Sequence, residues 1–148
     1  GVLSRVAGLF SRRGYNIDSL TVCETHNSNQ SRMTIVVQGD EYILEKIQKQ
    51  LAKLQEVISI KKSETALTVQ REMALIKVKA EANNRGTIIE TCDIYKARIV
   101  DVGLESVIIE ITGSEAKIES LIRLLEPYGI LEYTRTGLTS MDRGNTTM

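Results

Sequence analysis

Two places near the start of the chain carry groups able to hold a small charged molecule. Gly1 opens an apolar helical stretch. Backbone N–H groups in a first helical turn lack intrahelical acceptors, and a glycine there lets an anion approach the peptide closely. Asn16, beyond the far end of that stretch, offers an amide that donates and accepts together, which suits a zwitterion. The same two residues also fit a turn glycine and a loop asparagine, both common at helix ends.

The remaining reactive side chains do not assemble into a catalytic set. His26, the one histidine, falls in the polar run 26–31, and no nucleophile motif surrounds a Ser or Cys. Cys23 and Cys92 are isolated and read as reduced, mostly buried thiols of a cytosolic-type compartment. No phosphate-loop or dinucleotide glycine pattern and no metal-ligand spacing occurs. An enzyme acting alone is therefore the weaker class. With 19 basic and 19 acidic residues the formal charge is zero, and aromatic residues make up 4%. Both features disfavour a nucleic-acid partner. No apolar run reaches membrane-spanning length and no signal-peptide pattern is present, so no membrane association is expected.

The elements that would position these groups follow from periodicity. Val2, Val6, Leu9 and Phe10 recur at helical spacing, and Gly14 after Arg12 and Arg13 predicts a left-handed stop. Residues 15–24 favour strand, but the alternation slips between Ile17 and Leu20, which predicts a bulge near Asp18 and Ser19. A strand over 33–38 follows, then a helix capped by Asp40 and a short strand at 57–60. The second half spells strand, helix, strand, strand, helix, strand, with Ala74, Ile76 and Val78, then Val107, Ile109 and Ile111, facing inward. Ser114 caps the last helix, and Pro127 and Gly129 stop it.

The halves match if one strand precedes Gly1. The expected class is α+β, with two ferredoxin-like βαββαβ units, the first lacking its first strand in this chain. The start therefore reads as clipped. The expected boundaries are a first domain at 1–63, a linker at 64–71, a second domain at 72–138 and a loose polar tail at 139–148.

The run from Leu3 through Ser11, Arg13-Gly14-Tyr15-Asn16-Ile17 and on to Val22, followed by Ser31-Arg32-Met33-Thr34-Ile35, resembles the small regulatory subunit of acetolactate (acetohydroxyacid) synthase, an ACT-domain family. Val69-Gln70-Arg71-Glu72-Met73, Ala97-Arg98-Ile99-Val100-Asp101-Val102 and Thr134-Arg135-Thr136-Gly137 extend the likeness over nearly the whole chain. The resemblance implies a protein that is not an enzyme by itself but the regulatory subunit of a transferase. It would activate a large catalytic subunit and confer feedback inhibition by valine or another branched-chain amino acid in branched-chain amino acid biosynthesis. No cofactor is expected in this chain; thiamine diphosphate, Mg²⁺ and FAD belong to the partner. The implied effector contacts are Gly1, Val2 and Leu3, mainly through backbone N–H groups, with Asn16 and Ile17. The preceding strand and its polar loop would supply others. The implied location is the cytoplasm, or the plastid stroma in a photosynthetic eukaryote.

Gly1 and Asn16 lie at opposite ends of one helix, which at 1.5 Å per residue separates them by roughly 18 Å. One valine cannot touch both within a single chain. If both contact the effector, the site spans two copies, and a homodimer with paired symmetric sites is expected. The rival reading is a stand-alone amino-acid sensor acting on another partner, against which the lack of a helix-turn-helix pattern weighs.

Overall fold

The chain divides into two compact units, Gly1–Val69 with Ser140–Met148, and Gln70–Thr139, in a computed structural model that describes residues 1–148. In the first unit, helix α1 (Val2–Arg13) buries Val6, Leu9 and Phe10, the stripe its spacing dictates. Strands β1 (Ile17–Glu24) and β2 (Ser31–Val37) form an antiparallel two-stranded sheet. Helix α2 (Glu41–Ala52) follows, and its N-cap Asp40 accepts the Ile43 N–H at 2.9 Å.

The register explains the slip in β1. Ile17 pairs with Val37, Leu20 with Ile35 and Val22 with Met33, with a shift between Ile17 and Ser19. Directly paired residues share a face. The extra residue therefore brings Ile17 and Leu20, three apart, to the side where Met33, Ile35 and Val37 pack on the helices. A two-stranded sheet is marginal alone, and here α1 and α2 supply its core through Val6, Leu9, Phe10 and Ile47.

Three expectations are corrected here. Residues 57–60 are not a strand, because no strand of these residues lies beside them to form a ladder. Cys23 is exposed rather than buried: it pairs with Arg32 on the face turned away from the core. Residues 139–148 are not a loose tail, since strand β7 (Thr139–Asp142) pairs with β3 (Thr68–Lys79) and Ser140 is buried. Residues 64–71, read as a linker, hold a 3₁₀ turn at Thr65–Leu67 and the first residues of β3.

The second unit continues with α3 (Arg85–Ile94), β4 (Arg98–Val102), β5 (Ser106–Gly113), α4 (Glu115–Leu125), a 3₁₀ turn and β6 (Ile130–Arg135). Its antiparallel strand order, β4-β5-β3-β6, together with the chain order makes it a ferredoxin-like βαββαβ unit. Ala74, Ile76 and Val78 of β3 and Val107, Ile109 and Ile111 of β5 meet Ile88, Cys92 and the α4 stripe Ile118, Leu121 and Leu125. Each such large side chain contributes about 1.5–3 kcal/mol by leaving water. The fold class is thus α+β with two units, the first contributing helix, strand, strand and helix.

At the edge of the second core, Glu72 is buried and accepts two guanidinium bonds from Arg135, at 2.6 Å from Nε and 3.2 Å from Nη2. This bidentate pairing raises the Arg135 pKa above its ordinary value, with burial opposing it and Glu119 adding a weaker attraction. Arg135→Ala strands a carboxylate in the interior and should cost about 3 kcal/mol in urea unfolding. A loss below about 1 kcal/mol would show that the pair holds nothing. The two thiols differ as well. Burial, and then the nearby Asp93 charge, push Cys92 up to about 11. Because the thiolate is the nucleophile, iodoacetamide at pH 8 should label Cys23 alone in the folded chain, as read by mass spectrometry. Equal labelling of Cys92 would contradict its burial.

Candidate functional site

Both ends of α1 are built to leave polar backbone or side-chain groups outward. Gly1 is the N-cap, is exposed and makes no side-chain cap, while its carbonyl accepts the Arg5 N–H at 3.3 Å. No acidic side chain lies in the first turn. The amides of Val2, Leu3 and Ser4 lie in the first turn, where backbone N–H groups have no intrahelical acceptor, so this turn presents partial positive charge. Val2 is half-buried against the core, whereas Leu3 is exposed.

The far end is closed by a Schellman arrangement. Gly14 adopts φ 69°, ψ 21°. Its N–H donates to the Ser11 carbonyl at 3.3 Å, and the Tyr15 N–H donates to Phe10 at 3.0 Å. The Phe10 and Tyr15 rings meet edge to face, with centroids 6.0 Å apart, a contact worth about 0.5–1.5 kcal/mol. This closure hands the chain to Asn16, which is exposed just ahead of β1. Ile17 turns back to the core and pairs with Val37. Beside them, Gln38 Nε2 donates to Asp18 Oδ2 at 3.2 Å and ties the bulge to the chain leaving β2. Sequence reading missed Gln38, because only the antiparallel register brings it to Asp18.

The five expected contacts therefore fall into two groups. Gly1, Val2 and Leu3 share the first turn of α1, Asn16 and Ile17 share the start of β1, and the twelve-residue helix separates the groups within one chain. His26 lies elsewhere, exposed in the β1–β2 turn, which is closed by Thr25 N–H to Gln30 and Gln30 N–H to Asn27, both at 2.9 Å. A shallow depression on α2 is lined by Glu45, Gln48, Lys49 and Ala52 and shares no residue with either group. No helix is long and apolar enough to cross a membrane.

Comparison with known proteins extends over both units. Residues 1–59 match the family described as the acetohydroxyacid synthase small subunit-like ACT domain, and residues 71–144 match the family described as the small subunit of acetolactate synthase. The chain is 53% identical over 144 residues to the acetolactate synthase small subunit of Mycolicibacterium smegmatis, covering 97% of this chain and 85% of that one. It is 52% identical over 145 residues to a probable acetolactate synthase small subunit of Archaeoglobus fulgidus, covering 98% and 91%. The crystal structure of the acetolactate synthase small subunit from Thermotoga maritima superposes with a TM-score of 0.88 at 42% identity, covering 99% of this chain and 91% of that one.

Gly14→Ala tests the turn that places Asn16. A Cβ there meets nothing within 4 Å, so the whole cost is the positive φ. That strain should lower stability by about 1–2 kcal/mol, read as a shift in the urea midpoint, with Gly14→Asn less affected. An unchanged midpoint for Gly14→Ala would contradict the left-handed closure.

Proposed function

The chain belongs to the acetolactate synthase small-subunit family, and from that premise we propose that it is the regulatory partner of the large catalytic subunit. In this reading the large subunit carries thiamine diphosphate, Mg²⁺ and FAD and condenses two pyruvates, or pyruvate with 2-oxobutyrate. The small subunit raises that activity and confers feedback inhibition by valine or another branched-chain amino acid. Both subunits work in the cytoplasm, in branched-chain amino acid biosynthesis.

The observation that carries the effector reading is the construction of α1. Its uncapped, acid-free first turn suits a carboxylate. Exposed Asn16 at the other end provides an acceptor for an ammonium and a donor for a carboxylate. Twelve helical residues hold the two groups about 18 Å apart. A single amino acid therefore meets both only when Gly1, Val2 and Leu3 of one protomer approach Asn16 and Ile17 of its partner. The functional species is a homodimer with two equivalent sites. Regulation arises because the effector binds one arrangement of the dimer better than another, and the shift is limited to that difference in affinity.

Asn16→Ala should raise the valine concentration for half-inhibition of the reconstituted complex by about tenfold, while activation of the large subunit stays within about twofold. Calorimetry on the isolated chain should show the same loss of binding for valine, with leucine and isoleucine run alongside. Normal inhibition of the variant, or valine seated wholly within one protomer far from the partner, would reject the assignment.

A further inference from the structure

The turn from α1 into β1 gathers the polar side chains of Asn16, Asp18 and Gln38 at one end of the β1–β2 pair. Asn16 and Asp18 are exposed, while Ile17 between them turns to the core. Gln38 follows Val37, the partner of Ile17, and so lies across the pair from Asn16. Its Nε2 donates to Asp18 Oδ2 at 3.2 Å. The register shift between Ile17 and Ser19 leaves Asp18 as the extra residue of the bulge, a place where strands re-aim a side chain.

These groups suit a cation. The Gln38 amide is a neutral donor, so the bonded pair carries the whole negative charge of the carboxylate. A carboxylate has about four acceptor sites, of which the amide bond uses one. Asn16 adds an amide oxygen. Two residues of extended chain span about 7 Å, a gap that one ammonium bridges by bonding to both side chains. This end therefore presents acceptors and negative charge. It complements the acid-free first turn of α1, which presents donors and partial positive charge.

We propose that Asp18 reads the effector's ammonium, and that it makes the site selective for an α-amino acid over the 2-oxo acid of the same carbon skeleton. This rests on the effector reading given above and assigns the ammonium to the Asn16 end of the site. Valine and 3-methyl-2-oxobutanoate share a carboxylate and an isopropyl group, so neither a helix turn nor an apolar pocket separates them. They differ at the α-carbon, which bears either a charged group with three donors or a carbonyl oxygen that only accepts. Beside Asp18 the ammonium gains a charge-assisted hydrogen bond. The carbonyl oxygen instead faces another acceptor with no hydrogen between them. Rejection of the wrong ligand then adds to attraction of the right one. In the reading above the catalytic partner condenses 2-oxo acids, and this filter keeps such substrates out of the regulatory site.

The test compares valine with 3-methyl-2-oxobutanoate by calorimetry on the full chain, and measures valine inhibition of the complex reconstituted with the large subunit. Wild type should prefer valine by about a hundredfold or more. Asp18→Asn keeps an oxygen that accepts from Gln38 but loses the charge. It should weaken valine binding, and raise the half-inhibition concentration, by about tenfold. The oxo acid should bind the variant no more weakly than wild type, so the preference falls by the same factor. Activation of the large subunit and the urea midpoint should not change. Valine bound by Asp18→Asn at wild-type strength, while Asn16→Ala loses it, overturns the proposal alone. So does a wild type that takes the oxo acid as readily as valine. Equal losses of both ligands in Asp18→Asn also overturn it, because Asp18 then shapes the site without reading the ammonium. A wild-type chain that neither binds valine nor answers to it in the complex overturns the effector reading itself, and the proposal with it.

Discussion

The left-handed turn at Gly14 governs the geometry of the first unit. It ends α1 at a residue without a Cβ and crosses two hydrogen bonds onto Phe10 and Ser11. It also sets Tyr15 edge-on against Phe10, the most fully buried large side chain of that unit. From there β1 must start with Asn16 outward and Ile17 inward, and the bulge at Asp18 then returns Leu20 to the core face. The two polar ends of α1 are thus fixed by one rigid helix.

The two units bury different sets of apolar side chains. Among the largest fully buried side chains only Phe10 belongs to the first unit; Ile76, Ile109, Ile118, Leu121 and the rest belong to the second. The second unit has a four-strand antiparallel order under two helices, with buried Glu72 held by the partly exposed Arg135 at its margin. In the first, β1 and β2 pack under α1 and α2, with Ile43, Leu51 and Leu54 half-buried.

Family membership and physical reading meet at the same residues. The family matches span both units, and the run from Leu3 to Ile17 that carries the resemblance is the run folded into α1, its glycine closure and the first residue of β1.

Much of this was legible in the residues alone because the signals are local. The apolar stripe Val6, Leu9 and Phe10, the stop at Gly14, the caps Asp40 and Ser114 and the alternation of Ala74, Ile76 and Val78 each depend on neighbours within a few positions. Even the bulge between Ile17 and Ser19 follows from a break in periodicity. Other features depend on partners remote in sequence, and only the tertiary structure decided them. Residues 57–60 have strand-forming side chains but pair with no strand among residues 1–148 and are irregular there. Cys23 is exposed because register assigns it to the outer face opposite Arg32. The polar residues after Thr139 look like a tail, yet Ser140 and Asp142 find Arg32, Ser63 and Lys61, more than seventy positions away. A hydrogen bond closed over so long a loop leaves no periodic trace in the sequence, since its partners are chosen by the fold rather than by their neighbours.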